Sequence, residues 1–343
     1  MRNFSEQIQE KVLRCNILTP VEGHIVDYPH YGEIADKQFS ILWPWDEPKV
    51  ENDIQDLKVN MTGSEYFATT FQLKLFNKYE QVAGQDYWTG KFMEMFPRPE
   101  MQRMAALNGA VELNSHEPFY DQVNTVLHLD TPEFYESWKQ SEILVERMKF
   151  IGKYVGHSNY LLSTGAFTFV EGAILYTSFG YLKHFQAEEY GKNLIVNTCR
   201  GINQSTADEN IHAIGSAMAF RDLMHESKLN EEETKYIENK MREIALEVYR
   251  HEEAIVEIMY SEGEIPRLNR DSLKDFAKHR CNICLNMLGF GPVFDESECD
   301  TTIASWFYKN INSVQLHDFF TAHGSEYNGH WDRKKFGKVW EIK

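Results

Sequence analysis

The sequence predicts an all-α helical bundle, and three observations support that prediction. From Thr62 onward, apolar residues recur at three- and four-residue spacing, as between Phe67 and Phe76, which is the period of one helix face. The alternation of apolar and polar residues that is typical of a half-buried strand is scarce. Of the 343 residues, 42% are hydrophobic and 13% are aromatic, so the chain can bury enough apolar surface to fold rather than remain disordered.

The first 60 residues differ from the rest because several prolines interrupt any long helical pattern. These are Pro20, Pro29, Pro44 and Pro48. We expect residues 1–60 to form an extended N-terminal arm that packs on the bundle.

Helices are then expected along the rest of the chain. Thr62 with Glu65 predicts one helix start, and Thr131 followed by Pro132 predicts another, because threonine caps helices and proline fits the first turn. Further helices are expected over residues 141–155, 159–190, 205–227, 231–262 and 271–288. We expect the helical domain to span residues 61–327 and a short flexible C-terminal tail to span residues 328–343.

The charge balance of the chain limits its partners. The formal net charge of −17 argues against attraction to the phosphate backbone of nucleic acids or to anionic membrane surfaces. The five cysteines are few and odd in number, and no signal peptide is recognisable, so a reduced cytoplasmic location is expected. The one Cys-x-x-Cys pair, Cys281 and Cys284, is interpreted as two core thiols rather than a zinc site.

The segment from Leu161 to Leu182 is almost wholly apolar and about as long as the ~20 residues that a membrane helix needs. Glu171 lies at its middle, where a carboxylate is unfavourable in lipid. We therefore interpret the segment as a helix buried inside the bundle and expect no membrane span. A buried carboxylate must be protonated, paired or bound to a metal, so Glu171 is a candidate functional residue.

The strongest local motif is Glu209 and His212, which lie three residues apart and so share one helix face. Carboxylate and imidazole ligands together suit iron, manganese or zinc. A helical bundle can hold two metal ions with one carboxylate from each of two helices and a Glu/His pair from each of two others. The chain offers six candidates for such a set: Glu80, Glu112, His116, Glu171, Glu209 and His212.

Glu112 and His116 are separated by four positions rather than three. Both spacings place two side chains on one face, and a local π-type bulge could absorb the extra residue. Ser115, at the strict three-residue position, is a poor ligand. Other Glu/His or Asp/His pairs with a spacing of four are expected to be surface pairs: Glu247 with His251, Asp275 with His279, and Glu326 with His330.

The order of these motifs resembles the small, radical-generating subunit of class I ribonucleotide reductase. The resemblance runs from about Ile41 to Tyr327. It rests on Glu80, Glu112, His116 and Tyr120, and on the motifs Leu42-Trp43-Pro-Trp45, Val50-Glu-Asn-Asp53, Val170-Glu171-Gly-Ala, Asp208-Glu209-Asn-Ile-His212, His317-Asp-Phe-Phe320 and Ser325-Glu-Tyr327. It implies a ferritin-like bundle in which the six candidate ligands hold a dinuclear iron or manganese-containing centre that reacts with O₂.

The resemblance also assigns roles to further residues. Tyr120, four positions after His116, would carry a tyrosyl radical, and Trp43 and Asp208 would transfer that radical together with His116. Leu175 and Phe179 would line an apolar pocket beside the metals. At the position of Glu80 many members of the family carry aspartate.

The function implied is that of the small subunit of a ribonucleoside-diphosphate reductase, which passes its radical to a large catalytic subunit that converts ribonucleotides to deoxyribonucleotides. The C-terminal tail would dock into that subunit, with Trp340 or Tyr327 as a relay aromatic, and the chain would form a homodimer. Two alternatives share the fold. One is a dimetal monooxygenase or oxidase that acts on its own substrate, and the other is an iron-storage protein.

Overall fold

A computed structural model describes residues 4–299 and 302–308, and every regular element in these ranges is helical. The longer helices are Phe4–Val12, Pro29–Ser40, Gly63–Gln81, Pro99–Val111, Glu117–Leu127, Glu142–Val155, Tyr160–Phe169, Tyr176–Lys183, Val196–Ser227, Glu231–Met259 and Arg270–Met287. Short helices cover Met93–Met95, Pro132–Glu136 and Thr302–Phe307. The described residues belong to one compact unit, Met1–Ile311, and no strand occurs among them.

Several helices are joined end to end by π-helical turns, in which each hydrogen bond spans one residue more than in an α-helix. The π segments are Asp56–Asn60, Val82–Phe92, Glu112–His116 and Val170–Ile174. Turns of 3₁₀ type cover Asn16–Leu18, Val50–Asp53, Ser137–Gln140, His184–Gln186 and Glu296–Glu298. Two of the π segments contain candidate ligands, which bears directly on the geometry of the site.

The two helix starts predicted from threonines are confirmed. The Thr62 side chain accepts a hydrogen bond from the backbone N–H of Glu65, and the Glu65 carboxylate accepts one from the backbone N–H of Thr62 at 2.8 Å. This reciprocal pair satisfies donors that would otherwise lack partners in the first turn. Thr131 caps the helix that begins at Pro132 through a single hydrogen bond, which its side chain accepts from the backbone N–H of Phe134.

The helix that carries Glu209 begins at Val196, nine residues before the predicted start at 205. Its first turn is capped by a side chain from a distant part of the chain, since Asp53 accepts hydrogen bonds from the backbone N–H groups of Asn197 and Thr198 at 3.2 and 2.6 Å. The predicted helix over 159–190 ends earlier than expected, at Lys183, and is interrupted by a π segment.

The N-terminal arm contains two helices that its proline content did not predict. Pro29 is the first residue of Pro29–Ser40, where its missing N–H and fixed φ angle favour a helix start. The buried face of that helix includes Tyr31, Ile34 and Gln38, so this part of the arm packs on the bundle through a helix rather than an extended segment.

The apolar segment interpreted as a core helix lies fully inside the bundle, since every residue from 161 to 185 is buried. Within the described ranges, no helix combines the length and the hydropathy that crossing a membrane requires. Glu171 is therefore buried in protein, at 3% exposure.

The expectation that Glu247 and His251 form a surface pair is wrong for His251. Its side chain is fully buried, and its Nδ1 atom accepts a hydrogen bond from the Arg147 guanidinium at 3.3 Å. Asp275 and His279 are half-buried. The remaining pair of this form, Glu326 and His330, lies outside the described residues, as does the predicted tail.

Candidate metal centre

The bundle brings all six predicted ligands into one buried cluster. Glu80 lies near the end of the helix Gly63–Gln81, and Glu209 and His212 lie on the helix Val196–Ser227. Glu112 and His116 are the first and last residues of one π segment, and Glu171 lies in another. Their donor atoms form two overlapping groups, in each of which all atoms lie within 4.8 Å of one another. One group is Glu80, Glu112, His116 and Glu209, and the other is Glu112, Glu171, Glu209 and His212.

Glu112 and Glu209 belong to both groups and lie between the two histidines. The Nδ1 atom of His116 is 2.8 Å from one oxygen of Glu112 and 3.4 Å from one oxygen of Glu209. The Nδ1 atom of His212 is 2.6 Å from the other oxygen of Glu112 and 3.7 Å from the other oxygen of Glu209. Each of these carboxylates thus faces two histidines, which is the arrangement of a bridging ligand.

Glu80 and Glu171 lie at the two ends of the cluster. An oxygen of Glu80 is 3.8 Å from His116 Nδ1, and an oxygen of Glu171 is 3.8 Å from His212 Nδ1. The site therefore has two similar halves, each with one histidine, one terminal carboxylate and two shared carboxylates.

The unusual spacing of Glu112 and His116 is accommodated by the backbone. Residues Glu112–His116 form a π-helical turn, as the spacing suggested, so a side chain four positions away points toward the cluster. Ser115, at the strict three-residue position, donates its hydroxyl to the backbone oxygen of Trp43 at 2.6 Å and is not among the clustered donors.

The donor set fits a metal centre because its polar atoms are buried without hydrogen-bond partners. Both oxygens of Glu112 and Glu209, one oxygen of Glu80 and the Nδ1 atoms of both histidines are in this condition. A buried unsatisfied polar group costs about 1–3 kcal/mol and a charged one more. Metal coordination would satisfy these atoms, and their carboxylate and imidazole chemistry suits iron or manganese.

The electrostatics of the cluster lead to the same conclusion. Burial, reinforced by the charge of Glu112, raises the pKa of Glu80 well above its usual value, and burial with the charges of Glu209 and Glu112 does the same for Glu171. Burial also acts against the charge on Glu112, yet the two histidines hold its pKa well below its ordinary value. Four buried carboxylates cannot all remain ionised beside two histidines alone, whereas two divalent cations would balance their charge.

A hydrogen-bonded group of side chains supports His116 from outside the cluster. Asp208 accepts hydrogen bonds from Trp43 Nε1 at 2.7 Å and from Gln38 Nε2 at 2.7 Å, and it lies 3.0 Å from His116 Nε2. A carboxylate in this place fixes the tautomer and orientation of the imidazole. The structure thus joins Trp43, Asp208 and His116 in one continuous line.

Sequence reasoning missed two side chains that orient this site. Gln38 bonds Asp208, and Trp88 donates its indole N–H to Glu171 at 2.7 Å. Neither residue stands at a recognisable spacing from its partner, because each contact joins segments far apart in the chain.

Tyr120 lies beside the cluster in an apolar environment. Its side chain is fully buried, with the ring of Phe76 edge-on at 4.7 Å and the ring of Phe119 at 5.1 Å. Burial, with the charge of Glu80, raises the pKa of Tyr120 well above its usual value, so the phenol is held in its neutral form.

The structure also gives the positions of several of the other residues singled out from the sequence. Leu175 lines a small cavity against Glu80, Glu171 and Glu209, and Phe179 packs against Phe76 at 6.3 Å. Cys281 and Cys284 are fully buried and donate to backbone oxygens, as expected of core thiols. His317, Tyr327 and Trp340 lie outside the described residues.

Comparisons with known proteins agree with this geometry. The family model described as "Ribonucleotide reductase, small chain" matches residues 24–301. The "probable ribonucleoside-diphosphate reductase small subunit" of Invertebrate iridescent virus 3 is 23% identical over 320 residues, which cover 88% of this chain and 82% of the relative. The ribonucleoside-diphosphate reductase subunit beta of Bacillus subtilis is 23% identical over 230 residues, 65% of each chain.

Solved structures show the same fold. A dimanganese(II) protein from Streptococcus sanguinis superposes with a TM-score of 0.72 at 15% identity, covering 84% of this chain and 99% of that one. The ribonucleotide reductase R2 subunit from Clostridium botulinum gives a TM-score of 0.69 at 18% identity, covering 82% of this chain and 87% of that one. The ferritin-like fold predicted from the sequence is confirmed.

The family match decides between the functions that a ferritin-like bundle allows. A monooxygenase or an iron-storage protein would share the bundle, but the matched family model is that of a reductase and spans most of the chain. Members of this family contain a dimetal site and act with a large subunit, and the buried Glu/His cluster fits such a site. The chain therefore belongs to the small-chain family of ribonucleotide reductase, an oxidoreductase.

Proposed function

We propose that this chain generates a tyrosyl radical on Tyr120 and passes it to a large catalytic subunit that reduces ribonucleotides. The observation that carries the proposal is the unbroken line of hydrogen bonds from Trp43 through Asp208 to His116, which ends at the buried cluster beside Tyr120. An iron-storage site has no use for a tryptophan joined to a ligand in this way.

The ligands proposed for the two metals are the six clustered side chains. Glu80 and His116 would hold one ion and Glu171 and His212 the other, with Glu112 and Glu209 shared. When bound and oxidised by O₂, such a centre supplies a one-electron oxidant. The donor set accepts iron or manganese, and we propose one of these two metals.

Tyr120 is suited to hold a radical because its surroundings exclude water and reductants. Its oxidation would remove one electron and one phenolic proton. The bound centre would supply the oxidising equivalent, and Glu80 would accept the proton, since its charge acts on Tyr120 more strongly than that of any other carboxylate. The apolar rings of Phe76 and Phe119 would then protect the neutral radical.

Transfer to the partner would reverse this change at Tyr120. One electron would enter through Trp43, Asp208 and His116, and Tyr120 would regain its proton as the oxidising equivalent leaves. Asp208 would keep Trp43 and His116 in contact throughout, because it accepts a hydrogen bond from the indole and lies within hydrogen-bond distance of the imidazole.

We further propose that the chain is a homodimer whose residues after Tyr327 dock into the large subunit. The basic and aromatic residues of that segment support this proposal in an otherwise acidic chain: Trp331, Arg333, Lys334, Lys335, Phe336, Lys338 and Trp340. The curated relatives are named reductases of ribonucleoside diphosphates, so we propose diphosphates as the substrates.

Electron paramagnetic resonance tests the radical. The metal-free protein is loaded anaerobically with Fe(II), exposed to O₂ and compared with Tyr120→Phe prepared in the same way. We expect a tyrosyl signal in the wild type and none in the variant, with equal metal content in both. A wild type without the signal, or a variant that retains it, would show that Tyr120 does not carry the radical.

A further inference from the structure

Arg280 is a fully buried arginine whose contacts differ from those of an ordinary ion pair. Its Nε and Nη2 atoms both donate to the backbone oxygen of Gly172, at 2.8 and 2.6 Å, and its Nη1 atom donates to the hydroxyl of Tyr308 at 2.7 Å. The guanidinium also stacks on the ring of Tyr176, 3.6 Å from its centroid. Within residues 4–299 and 302–308, no carboxylate forms a salt bridge with it.

The acceptor of these bonds is the residue next to Glu171. Gly172 lies inside the π segment Val170–Ile174, where the hydrogen-bond register of the helix changes. A carbonyl oxygen has two lone pairs, and the two donors of Arg280 are enough to occupy both. A side chain from the helix Arg270–Met287 therefore supplies two hydrogen bonds to this carbonyl.

Packing around Gly172 holds the same backbone from two sides. A Cβ atom at this position would lie 2.7 Å from the Sγ atom of Cys284 and 3.2 Å from the Cβ atom of Ala213, so the segment fits against both neighbouring helices only as glycine. Glu171 itself is fixed at its tip by the indole of Trp88. Its backbone and its carboxylate are thus held by separate groups.

We propose that Arg280 is a positioning residue that holds the π-helical turn at Gly172 and so sets where the carboxylate of Glu171 lies. The inference rests on the proposed metal centre, because Glu171 belongs only to the group with His212. Arg280 would therefore govern one of the two metal positions and leave the position of Glu80 and His116 unaffected. Burial of a charged arginine is unfavourable, and the two bonds to Gly172 with the stacking on Tyr176 compensate for it.

Anaerobic titration of the metal-free protein with Mn(II) tests this role, with free Mn(II) followed by electron paramagnetic resonance. The wild type should bind two ions per chain. Arg280→Gln should bind one ion as the wild type does and the second about 10- to 100-fold more weakly, the usual effect of losing a group that orients a ligand. The spectrum of spin-coupled ions should weaken in parallel.

Arg98 provides a control whose hydrogen bonds go to Asn16 and, as an ion pair, to Asp27, and not to the backbone beside a clustered ligand. It is also buried, and its Nε and Nη2 atoms likewise donate to one backbone oxygen, that of Asn16. Arg98→Gln should lower the melting temperature but bind both ions with wild-type affinity. This control separates a general loss of stability from a change at one metal position.

The conservative variants keep the test decisive if Arg280→Gln does not fold. Arg280→Lys and Tyr308→Phe should each weaken binding of the second ion less than Arg280→Gln would. Both variants should leave the affinity for the first ion unchanged. Two ions of wild-type affinity in every folded Arg280 and Tyr308 variant would overturn the role of Arg280 alone. Fewer than two ions in the wild type would overturn the proposed centre itself, and the inference with it.

Discussion

Replacing Asp208 with asparagine isolates the charge that joins Trp43 to His116. The carboxylate is fully buried, accepts bonds from Gln38 and Trp43, and lies 3.0 Å from the His116 ring. Asparagine keeps its volume, and its oxygen can still accept the bond from Trp43. The amide group would face Gln38, whose own Oε1 atom has no hydrogen-bond partner, so a flip of the Gln38 amide restores a donor and acceptor pair.

The size of the effect follows from these contacts. Hydrogen bonds to a charged group contribute about 1.5–3 kcal/mol and neutral ones about 0.5–1.5 kcal/mol, so loss of the charge removes about 1 kcal/mol from each of three contacts. We expect Asp208→Asn to lower the free energy of unfolding by roughly 2–4 kcal/mol. Asp208→Ala should cost more, about 3–6 kcal/mol, because it leaves the donors of Trp43 and Gln38 buried without an acceptor.

Two measurements check this prediction. Urea unfolding of the metal-free proteins gives the free energies, and turnover with the large subunit, divided by radical content, gives the transfer efficiency. Asp208→Asn should reduce that efficiency by about 10- to 100-fold, as for other groups that orient a metal-bound histidine. Asp53→Asn is the control, because Asp53 is also buried and accepts hydrogen bonds from Asn197 and Thr198 away from the cluster.

The prediction fails if Asp208→Asn turns over as well as Asp53→Asn at equal radical content. Such a result would mean that the line from Trp43 to His116 supports the fold but does not carry the radical. Equal free energies of unfolding for Asp208→Asn and the wild type would instead show that the charge of Asp208 does not strengthen its three contacts.

Three further predictions concern the fold and the tail. Gly109→Ala should destabilise the protein by about 1–3 kcal/mol in urea unfolding, because its Cβ would lie 2.9 Å from the Gly84 oxygen. Gly152→Ala should stabilise the protein by about 0.5–1 kcal/mol in the same measurement, because its Cβ would meet no atom within 4 Å apart from the backbone of its own helix and its chain neighbours. Burial lowers the pKa of Lys183 to about 7 from 10.5, so the stability gained by Lys183→Met should be largest at pH 7 and below and shrink toward pH 10, in urea unfolding at each pH. Truncation after Tyr327 should abolish turnover with the large subunit and leave the radical signal intact; unchanged turnover would rule out tail docking.

Local sequence features were enough to single out three residues of the cluster. The three-residue spacing of Glu209 and His212 and the isolated charge of Glu171 in an apolar run are features of adjacent sequence, and the structure places all three side chains together. The cap at Thr62 was predictable for the same reason, because both partners of its hydrogen bonds lie within one turn.

Contacts between distant segments could not be predicted in this way. The helix Val196–Ser227 starts early because Asp53 caps it, and Gln38, Trp88 and Arg280 act on partners far away in the chain. His251 shows the converse error, since its spacing from Glu247 gave no sign that its own face is buried against Arg147. Spacing fixes which residues share a face, whereas tertiary packing decides which face is buried.

The π segments depend on both local spacing and contacts between distant segments. Glu/His pairs with four-residue spacing recur in the sequence, and among the residues that the structure describes only Glu112 with His116 occupies a π turn at the cluster. A π turn interrupts the regular hydrogen-bond ladder of a helix, so it persists where surrounding contacts compensate for it, as Arg280 does at Gly172. Whether such a pair can reach the cluster therefore depends on contacts between the distorted backbone and distant parts of the chain, such as the hydrogen bond from Ser115 to the backbone oxygen of Trp43. For this reason a search for similar sites should ask which face a Glu/His pair presents and what holds its backbone, and should not require a fixed spacing.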